Sequence, residues 1–182
     1  YNGDMDREIL LIQPKAGNWE NLGIRPPDGL LTLAAIPKKE GYNVKIMDLR
    51  LEKNWRETLR VHLKKDPLLV ATSCMTGVQI NHALELSKFV REVNPDVPIL
   101  WGGVHPTILP EQTVANQYVD IVVIDEGDVA ILDIIKTLEK EGDLKDVLGI
   151  AYKDKEGKVH RTEPRPLIEN LDELPPAPYE LI

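Results

Sequence analysis

Two consecutive glycines end an apolar segment near the middle of the chain, and polar residues follow them. The apolar segment is residues 99–101, the glycines are Gly102 and Gly103, and the polar residues are His105 and Thr107. A glycine has no side chain, so a ligand can approach the backbone closely at such a point. In open parallel sheets, ligands bind just beyond the carboxyl ends of the strands. This pattern therefore predicts a ligand-binding loop at the end of a strand.

Four other predicted strands end in loops of the same kind. These loops are residues 13–14, 48–50, 72–77 and 125–128, and each contains glycine, proline or an acidic residue. The carboxyl ends of parallel strands lie at one edge of a sheet, where the binding crevice of such folds is found. The five loops together therefore predict a single crevice.

The composition is typical of a water-soluble globular domain whose partner is not nucleic acid. Of 182 residues, 42% are hydrophobic and 29% are charged, and the formal net charge is −8. Nucleic-acid binding depends mainly on Lys and Arg side chains that neutralise phosphates, so this charge favours a small ligand or a protein partner. No apolar run approaches the ~20 residues that span a bilayer, so no membrane partner is expected. No signal peptide is recognisable, and the cytoplasm is the expected location.

The single cysteine, Cys74, limits the chemistry of the chain. One thiol cannot form an intrachain disulfide, and it cannot supply the three or four thiolates that hold an iron–sulfur cluster. We expect Cys74 to be a small, buried, apolar residue.

Apolar runs that alternate with amphipathic segments predict five strands and five helices. The predicted strands are residues 8–14, 44–48, 68–73, 98–101 and 120–124, and the predicted helices are residues 30–40, 54–65, 79–93, 110–116 and 129–141. Such alternation is typical of an α/β, Rossmann-like fold, in which a parallel sheet has helices on both faces. The flavodoxin-like strand order 2-1-3-4-5 is the expected topology. Pro37 is expected to kink the first helix or to end it early.

The pattern changes towards the carboxyl end. Residues 149–153 and 158–161 flank a turn sequence and predict a β-hairpin, and residues 163–182 are rich in proline and have no helix or strand period. We therefore expect a domain over residues 1–147, a hairpin appendage over residues 148–162 and an extended arm over residues 163–182. The arm either is a disordered tail or docks on the domain through Leu167, Ile168, Leu171 and Leu174.

Six short motifs in a fixed order resemble a known family. They are Leu-Leu-Ile-Gln-Pro at 10–14, Pro-Pro-Asp-Gly-Leu-Leu-Thr-Leu-Ala-Ala at 26–35, Gly-Tyr-Asn-Val-Lys-Ile-Met-Asp at 41–48, Gly-Gly-Val-His-Pro-Thr at 102–107, Val-Asp-Ile-Val-Val-Ile-Asp-Glu-Gly-Asp at 119–128 and Asn-Leu-Asp-Glu-Leu-Pro-Pro-Ala-Pro-Tyr at 170–179. Together they resemble the amino-terminal cobalamin-binding domain of cobalamin-dependent radical S-adenosylmethionine (SAM) enzymes. The resemblance covers nearly the whole chain.

This resemblance implies a cofactor and a partner domain. In that family a Rossmann-like sheet holds cobalamin, and a radical SAM barrel with a [4Fe-4S] cluster and S-adenosylmethionine follows it in the same chain. Methyl transfer is the commonest reaction. We expect this sequence to be a fragment of such an enzyme, although a free-standing binding domain stays open. In either case the chain itself is expected to bind cobalamin and not to catalyse.

The resemblance also implies which residues form the site. The loop over residues 23–29 would lie against the corrin edge, residues 73–78 would run under the corrin plane, the glycine pair would let the nucleotide tail pass, and residues 126–128 would close the far side. The site residues implied in this way are Pro26, Gly29, Ser73, Met75, Thr76, Gly77, Val78, Gly102, Gly103, His105, Thr107, Glu126, Gly127 and Asp128.

The chain departs from related patterns at two points. Where the family commonly has Gly-Glu-Gly-Glu, this sequence has Asp125 in place of the first glycine and Asp128 in place of the last acid. None of the four histidines stands in the Asp-x-His-x-x-Gly motif that ligates cobalt in other cobalamin proteins. The lower face of the cobalt would therefore have water, no ligand, or a side chain such as Met75.

Other interpretations of the same residues stay open or are disfavoured. His105 is as well suited to capping its loop as to touching a ligand, Glu126 can simply stabilise a helix start, and Trp19 can be a ligand contact or a plug beneath its loop. A cofactor-free regulatory domain of the receiver type needs an aspartate where Ser73 stands. A flavin-binding domain needs a serine-, threonine- and glycine-rich loop after the first strand, and a dinucleotide-binding domain needs Gly-x-Gly-x-x-Gly there.

Overall fold

One seven-stranded sheet organises the molecule. The computed structural model describes residues 7–182 except for the side chains of Trp19 and Leu22, so the expectation for Trp19 lies outside the described residues. The strands are β1 (Ile9–Gln13), β2 (Val44–Asp48), β3 (Leu69–Ser73), β4 (Ile99–Gly102), β5 (Ile121–Val123), β6 (Ile150–Lys153) and β7 (Val159–Arg161). Their spatial order is β2-β1-β3-β4-β5-β6-β7.

The first five strands are parallel and follow the predicted order 2-1-3-4-5. Their residues are nearly all buried, since helices cover both faces of the sheet. In this order β2 lies on one side of β1, and β3, β4 and β5 follow on the other side, so the strand order reverses between β1 and β3. Ligand crevices of open α/β sheets lie at such a reversal. The predicted fold class is confirmed.

Six helices cover the sheet. They are α1 (Asp28–Lys39), α2 (Trp55–Leu63), α3 (Val78–Val93), α4 (Val104–Ile108), α5 (Pro110–Val114) and α6 (Ala130–Glu139). Apolar residues of α1 and α6 pack on one face of the sheet, and those of α2, α3 and α5 pack on the other. We call the cluster on the first face the α1–α6 core. No helix within residues 7–182 is long and apolar enough to cross a membrane.

Two local expectations about helices need correction. Helix α1 continues past Pro37 to Lys39 and so does not end early there, whereas a kink at Pro37 stays a prediction. The segment after the glycine pair is expected to be a loop, yet it forms the short helix α4. Its backbone is held by a bond from the Thr107 N–H to the Gly103 carbonyl oxygen.

The hairpin is not an appendage beside the sheet but part of it. Strand β6 pairs antiparallel with β5, and β7 pairs antiparallel with β6. Ile150, Ala151 and Tyr152 are buried in the same apolar cores as the parallel strands. The sheet therefore has seven strands instead of the expected five, because β5 would otherwise be an open edge. The division of the chain at residues 147 and 162 stays a prediction.

The arm over residues 163–182 docks on the domain, but two of the four residues expected to dock it, both leucines, are exposed. Leu167 and Leu171 are 67% and 63% exposed, whereas Ala177 and Leu181 pack against the α1–α6 core. Polar contacts add to this packing, since the Ile168 N–H donates to a Glu126 carboxylate oxygen at 2.7 Å. The arm therefore contacts both helices of that face.

Candidate ligand-binding site

A cavity of about 250 Å³ opens at the carboxyl edge of the sheet, between the amino-terminal ends of α1 and α6. Buried apolar side chains line one part of it: Leu30, Leu100, Val123 and Ile131. Partly exposed acidic residues line another part: Asp125, Glu126 and Asp128. Since one water occupies about 30 Å³, the volume equals about eight waters. It is therefore close to the lower end of the range of small-molecule sites, about 300–1,000 Å³.

Gly102 leaves space open in this cavity. Along β4, Leu100 faces the α1–α6 core and Trp101 faces the other core, so the next position faces the cavity side again. A Cβ atom added at Gly102 would have no heavy atom within 4 Å. A larger side chain at this position would therefore fill the cavity without disturbing the packed protein around it.

Gly103 has a different role from its neighbour. Its φ is +96°, and an added Cβ would lie 2.8 Å from the Ser73 Oγ and 3.1 Å from the Cys74 backbone N and O. Gly103 therefore permits the loops after β3 and β4 to touch each other, instead of clearing a path for a ligand.

The loops after β3 and β4 are tied by backbone hydrogen bonds. The Cys74 N–H donates to the Gly102 carbonyl oxygen at 2.8 Å, and the His105 N–H donates to the Cys74 carbonyl oxygen at 3.0 Å. The His105 Nδ1 lies 3.4 Å from the Thr76 Oγ1, so the imidazole faces the β3 loop. Cys74 is fully buried, and burial raises the pKa of its thiol to about 12. The thiol is therefore protonated at neutral pH, as expected for a structural cysteine.

The loop after β5 is tied to the loop after β4. The Asp125 N–H donates to the Thr107 Oγ1 at 3.0 Å, and Asp125 adopts a left-handed backbone with φ of 62°. The family that this sequence resembles commonly has glycine at this position. Aspartate is among the residues that tolerate this conformation, so the loop keeps its path without the glycine.

Exposed apolar side chains follow the carboxyl ends of the strands, at the edge of the sheet where the cavity opens. Met75 and Val78 follow β3 and are 55% and 52% exposed, and Val104 and Ile108 on α4 are 57% and 63% exposed. Ile24 belongs to the loop before α1 and is also exposed. We call these five residues the apolar rim. Apolar side chains gathered at one edge are suited to contact with a large, flat, apolar ligand or with another domain.

The structure separates the predicted site residues into two groups. Seven line the cavity: Gly29, Ser73, Gly102, Gly103, Glu126, Gly127 and Asp128. The other seven do not line it: Pro26, Met75, Thr76 and Gly77 lie in loops, Val78 begins α3, and His105 and Thr107 lie on α4.

Sequence reasoning missed eight further residues that line the cavity. They are Leu30, Thr32, Leu33, Thr72, Leu100, Val123, Asp125 and Ile131. Most of these are apolar residues of helices or strands, and nothing in their type distinguishes a cavity wall from ordinary core. A signal was available for Thr72 and Asp125, which stand in the predicted loops 72–77 and 125–128, and for Thr32 and Leu33, which stand one turn after Gly29 on the same helix.

Comparison with known proteins identifies the family. A model of the B12 binding domain matches residues 21–135, a span that includes the cavity and the whole apolar rim. The chain belongs to the B12-binding domain family.

Relatives of this B12-binding domain are longer enzymes. The chain is 35% identical over 159 residues to the uncharacterized methyltransferase PH0819 of Pyrococcus horikoshii, which covers 86% of the chain and 34% of that relative. It is 30% identical over 176 residues to the anaerobic magnesium-protoporphyrin IX monomethyl ester cyclase of Rubrivivax gelatinosus, covering 92% and 32% of the two chains. The domain thus spans about a third of the length of these curated relatives.

A solved structure has the same fold. The radical S-adenosylmethionine methyltransferase TsrM of Kitasatospora setae, solved with cobalamin and a [4Fe-4S] cluster, matches with a TM-score of 0.76 at 19% identity, covering 94% of this chain and 31% of TsrM. A second solved structure, the cobalamin-dependent S-adenosylmethionine radical enzyme OxsB with aqua-cobalamin, matches with a TM-score of 0.73 at 24% identity, covering 94% and 24% of the two chains. The predicted resemblance is confirmed at the level of the domain.

Proposed function

We propose that this domain binds cobalamin at the carboxyl edge of its sheet. The nucleotide tail would enter the cavity, and the corrin ring would rest on the apolar rim. The observation that carries the proposal is the open space at Gly102: no heavy atom lies within 4 Å of the Cβ that any other residue would place there. The match to the B12 binding domain over residues 21–135 supports the same assignment.

The residues of the cavity suit a nucleotide tail. Buried apolar side chains such as Leu100 and Ile131 would contact the flat base, which carries little charge. The carboxylates of Asp125 and Asp128 can accept hydrogen bonds from sugar hydroxyls. The backbone N–H groups at the start of α6 are suited to the polar or anionic part of the tail.

The loops around the cavity would hold the ring. Pro26, together with Met75, Thr76, Gly77 and Val78, would contact the corrin, and we assign Thr107 and His105 to the junction of ring and tail. Thr107 already accepts the Asp125 N–H, so its hydroxyl proton and one lone pair remain for a ligand.

We also infer that the cobalt has no histidine ligand from below. Among the four histidines, His62 and His160 bind Glu8 and Asp154, and His82 lies on α3 near Glu85. His105 stands at the correct edge, but its imidazole faces Thr76. A tail held in the cavity cannot also ligate cobalt, so binding would be base-off with water, no ligand or Met75 at the lower face.

The relatives extend the proposal to a whole enzyme. We propose that the domain serves a radical SAM methyltransferase or a related radical enzyme, with the barrel, the [4Fe-4S] cluster and S-adenosylmethionine supplied by another part of the same chain. When bound, cobalamin supplies a cobalt centre that can carry a methyl group. The residues described here would bind and orient the cofactor, while the cofactor performs the chemistry.

A binding assay with two corrinoids tests the proposal. The protein is mixed with hydroxocobalamin and desalted, and retained corrin absorbance is expected at one equivalent per chain. Cobinamide, which lacks the nucleotide tail, is expected to bind more weakly. Gly102→Leu should lower cobalamin affinity at least tenfold and leave cobinamide affinity unchanged, because the new side chain would occupy only the cavity.

Two outcomes would contradict the proposal. A colourless desalted protein would reject cobalamin binding altogether. Equal binding of cobalamin by the wild type and Gly102→Leu would show that the tail lies elsewhere. Gly103→Ala cannot serve as a test of the cavity, because its Cβ would displace Ser73 and Cys74 and so lower the stability of the protein.

A further inference from the structure

A partly buried ion pair lies behind the loop that precedes α1. Arg50 and Asp48 stand at the carboxyl end of β2, and their side chains are only 13% and 11% exposed. The Arg50 Nε donates to Asp48 Oδ1 at 2.8 Å, and Arg50 Nη2 donates to Asp48 Oδ2 at 2.6 Å. This is the bidentate geometry in which a guanidinium and a carboxylate fix each other's orientation.

The guanidinium also reaches across to the loop. Its Nη2 donates to the carbonyl oxygen of Arg25 at 2.8 Å. Arg25 precedes Pro26, and three residues further on Gly29 lines the cavity. The ion pair therefore connects the end of β2 directly to the loop that forms one side of the site.

Few other contacts hold this part of the loop. Residues 23–26 are all exposed. The Gly23 N–H donates to the Glu20 carbonyl oxygen at 3.2 Å, and the Pro26 carbonyl oxygen accepts the Asp28 N–H at 2.9 Å. The far end of the loop is packed differently, since a Cβ at Gly17 would lie 3.0 Å from Val78. Between these points Arg50 supplies a side-chain bond to the loop, at the Arg25 carbonyl oxygen.

We propose that Arg50, oriented by Asp48, is a positioning residue of the cofactor site. It holds the Arg25 carbonyl so that Pro26 lies at the rim and Gly29 at the cavity wall. The inference rests on the proposed cobalamin site. A lysine could keep the ion pair with Asp48, but it lacks the planar fork needed to bind the carboxylate on two sides and the Arg25 carbonyl together.

The first experiment measures the loop without any cofactor. Amide hydrogen exchange is followed by mass spectrometry in the wild type, Arg50→Lys, and the charge-neutral double variant Asp48→Asn/Arg50→Gln, which avoids a buried unpaired carboxylate. Exchange at Asp28, Leu30 and Leu31, whose N–H groups donate to the carbonyl oxygens of Pro26 and Pro27, should be at least fivefold faster in both variants and unchanged in α3. Arg56→Gln is the matched control, because Arg56 pairs with Glu85 on the surface, away from this loop. If the amides of Arg50→Lys exchange as slowly as those of the wild type, Arg50 does not hold the loop and the proposal is wrong.

The second experiment measures corrinoid affinity in the same proteins. Arg50→Lys should bind cobalamin and cobinamide about tenfold more weakly, because the loop borders both rim and cavity, and its unfolding midpoint should stay close to that of the wild type. Arg56→Gln should bind both as the wild type does. If the wild type retains cobalamin and Arg50→Lys binds it equally well, the positioning role is wrong. If the wild type retains no corrinoid, the proposed function fails, while the exchange experiment still decides whether Arg50 holds the loop.

Discussion

The two adjacent glycines at the end of β4, Gly102 and Gly103, serve different purposes. Both are expected from the sequence to clear space for a ligand. In the structure only Gly102 faces open space, whereas Gly103 allows Ser73 and Cys74 to approach. The difference depends on the direction in which a Cβ would project from each Cα, and on the φ of +96° at Gly103. Neither property can be derived from residue type, so the sequence predicts the place of the site better than the role of each residue.

Asp125 offers a test at the scale of a single residue. Its φ of 62° is unfavourable for a residue with a Cβ, and the carboxylate is exposed at the cavity. Asp125→Gly should raise the free energy of unfolding by up to about 1 kcal/mol, since relief of the left-handed penalty exceeds the entropy that glycine adds to the unfolded chain. Urea unfolding of the two proteins measures this difference.

The control for this prediction is Asp128→Gly, because Asp128 has no positive φ and should only lose stability. A loss of stability in Asp125→Gly would mean that the carboxylate contributes more than the strained backbone costs.

Most elements are predicted well from this sequence, whereas the short helix α4 is not. The five parallel strands and the helices α1, α2, α3 and α6 match their expected positions within a few residues, because each buries a continuous apolar face. The short helix α5, expected over residues 110–116, is observed over Pro110–Val114. Helix α4 has only five residues and begins directly after a glycine, so no period is available to predict it. The hairpin is recognisable by its turn, but its pairing with β5 is a long-range contact that local sequence does not encode.

One pair of elements is joined by a partly buried charge, which makes their stability depend on pH. At the amino end of β1, a Glu8 carboxylate oxygen lies 2.7 Å from the His62 Nδ1 on α2, and Lys65 lies 3.3 Å from the other oxygen. Burial raises the pKa of Glu8, but the hydrogen bonds and charges of His62 and Lys65 together outweigh it, so the pKa lies below its usual value. A carboxylate with a lowered pKa stabilises the fold above its unfolded-state pKa, and this contribution is lost as the pH falls through the folded-state pKa.

We therefore expect Glu8→Gln to lower the free energy of unfolding by about 1 kcal/mol at pH 6. The difference from the wild type should shrink between pH 5 and pH 3, as the wild-type carboxylate takes up its proton. Glu92→Gln is the control, because Glu92 forms an exposed pair with Lys88 at 4.0 Å and should change stability little at any pH. A difference that stays constant down to pH 3 would show that Glu8 acts through packing and not through its charge.

The whole molecule is a sheet domain whose last 20 residues are bound across the face that contains the cavity. The arm contacts α6 through the ion pair of Arg165 with Asp133, and it contacts α1 through Tyr179, whose hydroxyl donates to Asp28 at 3.1 Å. These two helices are the walls of the cavity. Composition alone predicts an extended arm but not its docking, since the small residues and prolines that pack near Lys38 give no periodic signal.

The docked arm leads to a last prediction, which compares its leucines. Leu181 packs against the α1–α6 core, whereas Leu167 and Leu171 are exposed in this chain. Leu181→Ala should lower the free energy of unfolding by about 1 kcal/mol, because part of a buried apolar side chain is lost. Leu167→Ala and Leu171→Ala should each change it by less than about 0.5 kcal/mol. Thermal and urea unfolding of the three variants measure these differences. An equal loss of stability in all three would contradict the prediction. It would mean that the arm docks as its sequence first suggests, with its leucine and isoleucine side chains turned towards the sheet.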